Sequence, residues 1–177
     1  IAVCIKQVPA RDWQPVFDAG ACWVRDSAAP FEMNEPDQYA LEAALRLRDA
    51  HGGRVLACGF GPARVSQVVR EALARGADAG LHVQHEHPSP VDAMATAKNL
   101  AEALRAEPPD LVLTGLQSDD AGWAQTGVLV AAYLGLPHST IIMDVQVADG
   151  HVRVKRELEG GWFEWATLPL PAVLTIQ

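Results

Sequence analysis

The feature that most constrains the fold of this chain is the exchange between short apolar runs and longer stretches of helical periodicity. Ile1, Val3, Ile5 and Val8 mark a first buried strand over residues 1–8, stopped by Pro9. Residues 54–59, 81–84 and 110–115 supply three more runs of this kind. Between them lie helical patterns. Leu41, Ala44 and Leu45 share one face of residues 37–49, closed by Gly52 and Gly53. Val65, Val68, Val69, Ala72 and Leu73 follow the next, behind Pro62 at its start and ahead of Gly76. Ala93, Ala97, Leu100, Ala101 and Leu104 follow a third, and Ser89-Pro90-Val91-Asp92 before it resembles a capping box. Residues 122–135 form the fourth. Strands that alternate with helices pair in parallel through right-handed crossovers. Residues 139–147, 151–157, 162–167 and 173–176 read instead as consecutive strands, which adds an antiparallel edge. Residues 11–31 hold no sustained period and read as an irregular excursion with a short hairpin.

A chain of 177 residues with 49% hydrophobic content is expected to be one globular domain. Its net charge of -8 argues against a nucleic-acid partner, which calls for a basic face. A single small nucleotide stays compatible with that charge, because backbone N–H groups hold phosphate without Lys or Arg. Cys4, Cys22 and Cys58 are odd in number and form no CxxC, so they read as reduced thiols. No apolar run approaches the ~20 residues of a membrane span, and no secretory leader is visible. The expected setting is cytoplasmic, or the mitochondrial matrix if the source is eukaryotic, with no membrane insertion.

In an open α/β sheet, ligands sit beyond the carboxyl ends of the strands. Three ends carry distinctive residues: Cys4 to Pro9, Cys58-Gly59-Phe60-Gly61-Pro62, and the segment after Thr114. That last segment runs Gly115, Leu116, Gln117, Ser118, Asp119, Asp120, Ala121, Gly122, Trp123, Ala124, Gln125, Thr126, Gly127. A strand ends at Gly115, where no Cβ bars close approach, and a polar turn leads to a helix N-terminus. Ser118, Gln125 and Thr126 add side-chain donors. Asp119 and Asp120 would repel phosphate, so they are expected to cap the helix or meet a ribose hydroxyl. Spacing alone leaves two readings open, a nucleotide site and a helix cap without ligand. No Walker loop and no GxGxxG is present.

The stretch from Gly115 to Gly127 resembles the signature loop of electron transfer flavoprotein beta subunits. Lys6-Gln7-Val8-Pro9 is similar to that family's first strand end. Met33-Asn34-Glu35-Pro36-Asp37 with Ala40, Leu41, Glu42 and Ala43 is similar to its first helix start. Gly61-Pro62 with Arg70, Ala72, Leu73, Gly76, Ala77 and Asp78, then Arg156-Glu157, Gly160-Gly161 and Leu170-Pro171-Ala172-Val173, complete a collinear set over nearly the whole chain. The resemblance implies a Rossmann-like, doubly wound α/β fold with a mainly parallel sheet. It implies a beta subunit that holds AMP, or a second FAD in bifurcating members, and performs no bond chemistry. Its implied partners are an alpha subunit carrying the redox FAD, flavin-dependent dehydrogenases, and a quinone oxidoreductase as acceptor. The nucleotide-binding positions it implies are Cys4, Asn34, Glu35, Pro36, Asp37, Gly59, Phe60, Gly115, Leu116, Gln117, Ser118, Asp119, Asp120, Ala121, Gly122, Trp123, Ala124, Gln125 and Thr126. The family's C-terminal loop and arm are expected to be absent from residues 1–177.

Arg156 and Glu157 read from their spacing as a surface ion pair on a strand, and from the resemblance as part of the alpha-subunit interface. Trp13, Trp23, Trp162 and Trp165 read as core or interface residues. His82, His85 and His87 are too loosely spaced for a metal site, and none is expected. An ATP-using enzyme or nucleotide sensor of related topology is the competing reading. It calls for a glycine-spaced phosphate loop after the first strand, where Lys6-Gln7-Val8-Pro9 stands instead.

Overall fold

The computed structural model describes residues 1–18, 20, 23–24, 29–86 and 91–177. Its strands are β1 (Ala2–Ile5), β2 (Gln7–Pro9), β3 (Phe17–Asp18), β4 (Trp23–Val24), β5 (Phe31–Met33), β6 (Leu56–Gly61), β7 (Ala79–Gln84), β8 (Leu111–Gly115), β9 (His138–Ala148), β10 (His151–Glu157), β11 (Phe163–Pro169) and β12 (Ala172–Ile176). Its helices are α1 (Glu35–His51), α2 (Ser66–Ala74), α3 (Ala93–Arg105) and α4 (Thr126–Leu134), with a short 3₁₀ turn, Ala63–Val65, leading into α2.

The central sheet has the order β7-β6-β1-β8-β12-β9-β10-β11. Strands β7 through β9 in that order pair in parallel. β9, β10 and β11 pair antiparallel at the edge. Period-two alternation sends neighbouring residues to opposite faces. Val3 and Ile5 join α1 and α2 in one core cluster with Ala40, Leu41, Ala44, Val68 and Val69. Ala2 and Cys4 join α3 and α4 in the other, with Ala97, Leu100, Leu104, Val130 and Ala131. A strand covered on both faces has no polar side, which is why β1, β8 and β12 are buried along their whole length. This is the expected doubly wound sheet with an antiparallel edge.

Three expectations change. The first apolar run is two strands, because the sheet ends at Lys6. The Lys6 N–H donates to the Asp37 carboxylate at 2.8 Å, and the Lys6 carbonyl accepts from the Asn34 N–H at 3.0 Å. With both backbone groups taken by the start of α1, the chain turns away, and β2 pairs with β5, Pro9 opposite Phe31. The fourth helix begins at Thr126 and not at Gly122, since Gly122 (φ 63°) and Ala124 (φ 53°) have left-handed backbone that no α-helix admits. The last strand, β12, does not lie at an edge. It inserts between β8 and β9. The expected hairpin in residues 11–31 is present as β3 pairing β4. α1 starts two residues before the expected boundary, with Pro36 in the first turn, where its missing N–H costs nothing.

Candidate functional site

The carboxyl ends of β1, β8 and β12 meet at the segment that follows Gly115. Asp37, 5% exposed, ties the first two together. One carboxylate oxygen accepts the Lys6 N–H and the other accepts the Gly115 N–H, each at 2.8 Å. Burial is the largest influence on this carboxyl and raises its pKa from 3.8 to about 7, while the Lys6, Gly115 and Asn34 hydrogen bonds pull the other way. Asn34 clamps the next turn: its Nδ2 donates to the Gln117 carbonyl at 3.0 Å and its Oδ1 accepts the Asp119 N–H at 2.9 Å. The Leu116 N–H continues the strand by donating to the Ile176 carbonyl at 2.7 Å.

Gly115 is required for a reason other than ligand approach. A Cβ there would lie 2.7 Å from Pro36 Cβ and 2.8 Å from the Asp37 nitrogen, so the first turn of α1 fills the space. Gly59 is likewise a packing residue, its Cβ position lying 2.8 Å from a Val65 methyl. Gly127 lets α4 settle on β8 and β12, with Thr114 Oγ1 and a Thr175 methyl 2.5 and 2.6 Å from where its Cβ would be.

Asp119 and Asp120 do not cap α4. The Asp120 carboxylate accepts from Lys6 Nζ at 2.6 Å and from the Ala121 N–H at 2.7 Å. The Asp119 carboxylate faces the Arg11 guanidinium at 3.4 Å, and Arg11 also pairs with Glu35. α4 therefore starts without a side-chain cap. The N–H groups of Thr126, Gly127 and Val128 make no hydrogen bond among the described residues.

A crevice of about 550 Å³ opens between the N-terminal ends of α3 and α4. Its walls include Asp92, Met94, Trp123, Gln125, Val128 and Leu129. Asp92 caps α3 by accepting the Ala95 N–H at 2.7 Å. Ser89, Pro90 and His87 lie outside the described residues. Met94 and Trp123 are 58% and 55% exposed, so one side of the crevice offers apolar and aromatic surface. Of the positions expected to bind, Trp123, Ala124 and Gln125 line this crevice. Cys4 and Phe60 pack in the core cluster beneath α3 and α4. Asn34, Glu35, Pro36 and Asp37 support the loop from the α1 side. Met94 and Val128 escaped the sequence reading because nothing in a helical apolar pattern marks a residue at a helix mouth. The roles of Lys6 and Arg11 were hidden for a different reason, since the loop carboxylates they meet, Asp120 and Asp119, lie more than a hundred residues on.

Phe60 stacks on His85, ring centroids 5.4 Å apart, at the ends of β6 and β7. Among the described residues no three His, Cys, Asp or Glu side chains form a metal cluster, and no helix is long and apolar enough to cross a membrane.

Residues 22–177 match the family model described as electron transfer flavoprotein domain. The chain belongs to the electron transfer flavoprotein beta-subunit family. It is similar to the electron transfer flavoprotein subunit beta of Methylophilus methylotrophus, at 34% identity over 100% of the chain and 69% of that protein. It is similar to the caffeyl-CoA reductase-Etf complex subunit CarD of Acetobacterium woodii, at 34% identity over 99% of the chain and 67% of that protein. The FixA protein of Azorhizobium caulinodans is 36% identical over 99% of the chain and 65% of its own length. The chain thus spans about two thirds of these relatives.

In this electron transfer flavoprotein chain the antiparallel edge has one face packed and one open. Val152 and Val154 of β10 are buried. On the other side the Arg153 guanidinium lies 4.4 Å over the Trp165 ring and Lys155 Nζ lies 4.1 Å over the Phe163 ring. Trp162 is 73% exposed and Trp165 is 41% exposed, so neither is a core residue. Trp13 is half-buried, and the side chain of Trp23 lies outside the described residues. Arg156 and Glu157 do not pair with each other, because adjacent strand residues point to opposite faces. Arg156 pairs with Glu164 at 3.0 Å, and Glu157 accepts from Gln177 Nε2 at 2.8 Å.

Proposed function

We propose that this chain is the nucleotide-holding beta subunit of a heterodimeric electron transfer flavoprotein. It supports electron transfer without making or breaking a bond itself. One observation carries the reading: in a chain of this family, a helix N-terminus whose first amides have no partner among the described residues opens on a crevice at the carboxyl ends of a parallel sheet. The amides of Thr126, Gly127 and Val128, with the positive end of α4, receive the phosphate of AMP. Trp123 and Met94 supply an apolar surface for the adenine, and Gln125 and Thr126 supply side-chain donors. The fixed loop from Gly115 to Ala121, held by Asp37 and Asn34, keeps those amides in place before the ligand arrives.

The redox FAD belongs to the partner alpha subunit. The end of β10 and β11, with Trp165, Phe163 and Glu157 on the open side and Arg156 on the opposite one, is the surface that meets it. Donor dehydrogenases reduce that flavin, and a quinone oxidoreductase takes the electrons on. The kinship with a subunit of a caffeyl-CoA reductase-Etf complex favours a second arrangement, a flavin in place of AMP in the same crevice.

Denaturing the copurified heterodimer and identifying the released small molecules by mass spectrometry tests this reading. AMP together with one FAD per heterodimer is the expected result. Two FAD per heterodimer would establish the second arrangement. Release of neither AMP nor a flavin assignable to this chain would overturn both.

A further inference from the structure

The loop that leads to the proposed phosphate position carries two adjacent carboxylates, Asp119 and Asp120. Left alone, they would oppose any anion at the start of α4. Each instead meets a cation from the chain just beyond β1, Arg11 for Asp119 and Lys6 for Asp120. Lys6 is the better built of the two. Its backbone is fixed on both sides by Asp37 and Asn34. Its ammonium spans the gap between strand ends, donating to Asp120 at 2.6 Å and to Ser118 Oγ at 3.2 Å. Asp120 in turn accepts the Ala121 N–H, and the Gly122 N–H closes the turn on the Ser118 carbonyl at 2.9 Å.

We propose that Lys6 is a positioning residue for the anionic ligand of this site: its ammonium holds Asp120 against β1 and cancels a charge that would otherwise repel a phosphate at the start of α4. The inference rests on the nucleotide reading above. Burial opposes ionisation of Asp120, but the Lys6 charge and the hydrogen bonds from Lys6, Ser118 and Ala121 outweigh it and hold the carboxyl below its ordinary range. The pair is 44% and 34% exposed. A half-exposed ion pair adds little to fold stability, so its effect is on what the loop can bind. Removing the ammonium leaves an uncancelled carboxylate in a loop that has lost the tie to β1.

The test is calorimetric titration of AMP and of adenosine into the purified, nucleotide-stripped protein, at low and high salt. The variants are K6M, K6R, D120N and K6M/D120N, with K6Q in place of K6M if that variant does not fold. K6M should weaken AMP about tenfold at low salt, the size of coupling that neighbouring charges show in double-mutant cycles, and less at high salt. K6R should stay near wild type, and D120N should restore AMP binding to K6M. Adenosine, which has no phosphate, should bind wild type and K6M alike. If K6M/D120N binds AMP as weakly as K6M, Lys6 acts directly on the ligand and the proposal fails. It also fails if K6M binds AMP like wild type, or if K6M loses adenosine as much as AMP. Wild-type protein that binds neither AMP nor adenosine would instead overturn the nucleotide reading itself, and this inference with it.

Discussion

The Asp37 carboxylate in the first turn of α1 accepts the Gly115 N–H at 2.8 Å, across 78 residues of chain. The same carboxylate takes the Lys6 N–H, so one buried acid joins the ends of β1 and β8 to the helix between them. That helix start is thereby locked to the loop on which the nucleotide reading depends.

This acid gives the fold a pH dependence of definite sign. In the folded chain its pKa is raised from 3.8 to about 7, chiefly by burial. Between those two values the folded state holds a proton that the unfolded state has released. The stability from this proton is complete below the lower value and is lost as pH rises through the upper one. Urea denaturation across that window should show stability declining with pH in the wild type and a flatter profile in D37N. Parallel profiles would mean that Asp37 does not carry the effect.

Gly115→Ala should destabilise the fold by about 1–3 kcal/mol through overpacking against Pro36 and Asp37. Gly135 offers a contrast. Nothing lies within 4 Å of its Cβ position, but its φ is 70°, so Gly135→Ala should cost about 1–2 kcal/mol from backbone conformation alone. Denaturation midpoints with unchanged m-values would check both, and a neutral Gly115→Ala would show that α1 can withdraw from β8.

Thr126→Val keeps the side-chain shape while removing a hydroxyl at the first position of α4. If that hydroxyl donates to phosphate, its loss should weaken AMP retention by about 1–3 kcal/mol. The readout is nucleotide content per mole of purified protein. Unchanged occupancy with an unchanged melting temperature would remove Thr126 from the ligand's contacts.

Trp165→Ala should separate partner binding from folding. Trp165 is 41% exposed and stacked with Arg153, so its truncation leaves no core cavity and should change stability by less than about 1 kcal/mol. An aromatic anchor at an interface commonly contributes about 2 kcal/mol or more, so affinity for the alpha subunit should fall by more than tenfold. Wild-type affinity in a sedimentation or light-scattering titration would place the contact surface elsewhere.

The sequence by itself determined the class of fold and the location of the polar loop. Periods of two and 3.6 are local properties, so the buried run through Val3 and Ile5 and the inward turn of Leu41 and Ala44 on α1 were legible from residue order alone, whereas Leu45, expected on the same face, is only partly buried and Ala40 and Leu47 complete the stripe. So was the turn after Gly115, because its glycine and acidic residues break both periods. What only the tertiary structure decided was everything set by hydrogen bonds between distant segments. The break at Lys6 follows from Asp37 and Asn34 claiming its backbone. The place of β12 between β8 and β9 follows from pairing that a run of five buried residues, Ala172–Ile176, does not itself specify. Gly115 looked like an opening for a ligand and is filled by Pro36 and Asp37. The two acids expected to cap the helix or meet a ribose hydroxyl are held by Lys6 and Arg11, and the first-turn amides of α4 have no partner among the described residues. A residue's local pattern says which face it turns inward, but not which distant group will meet it there, because that partner is chosen by the closure of the whole sheet.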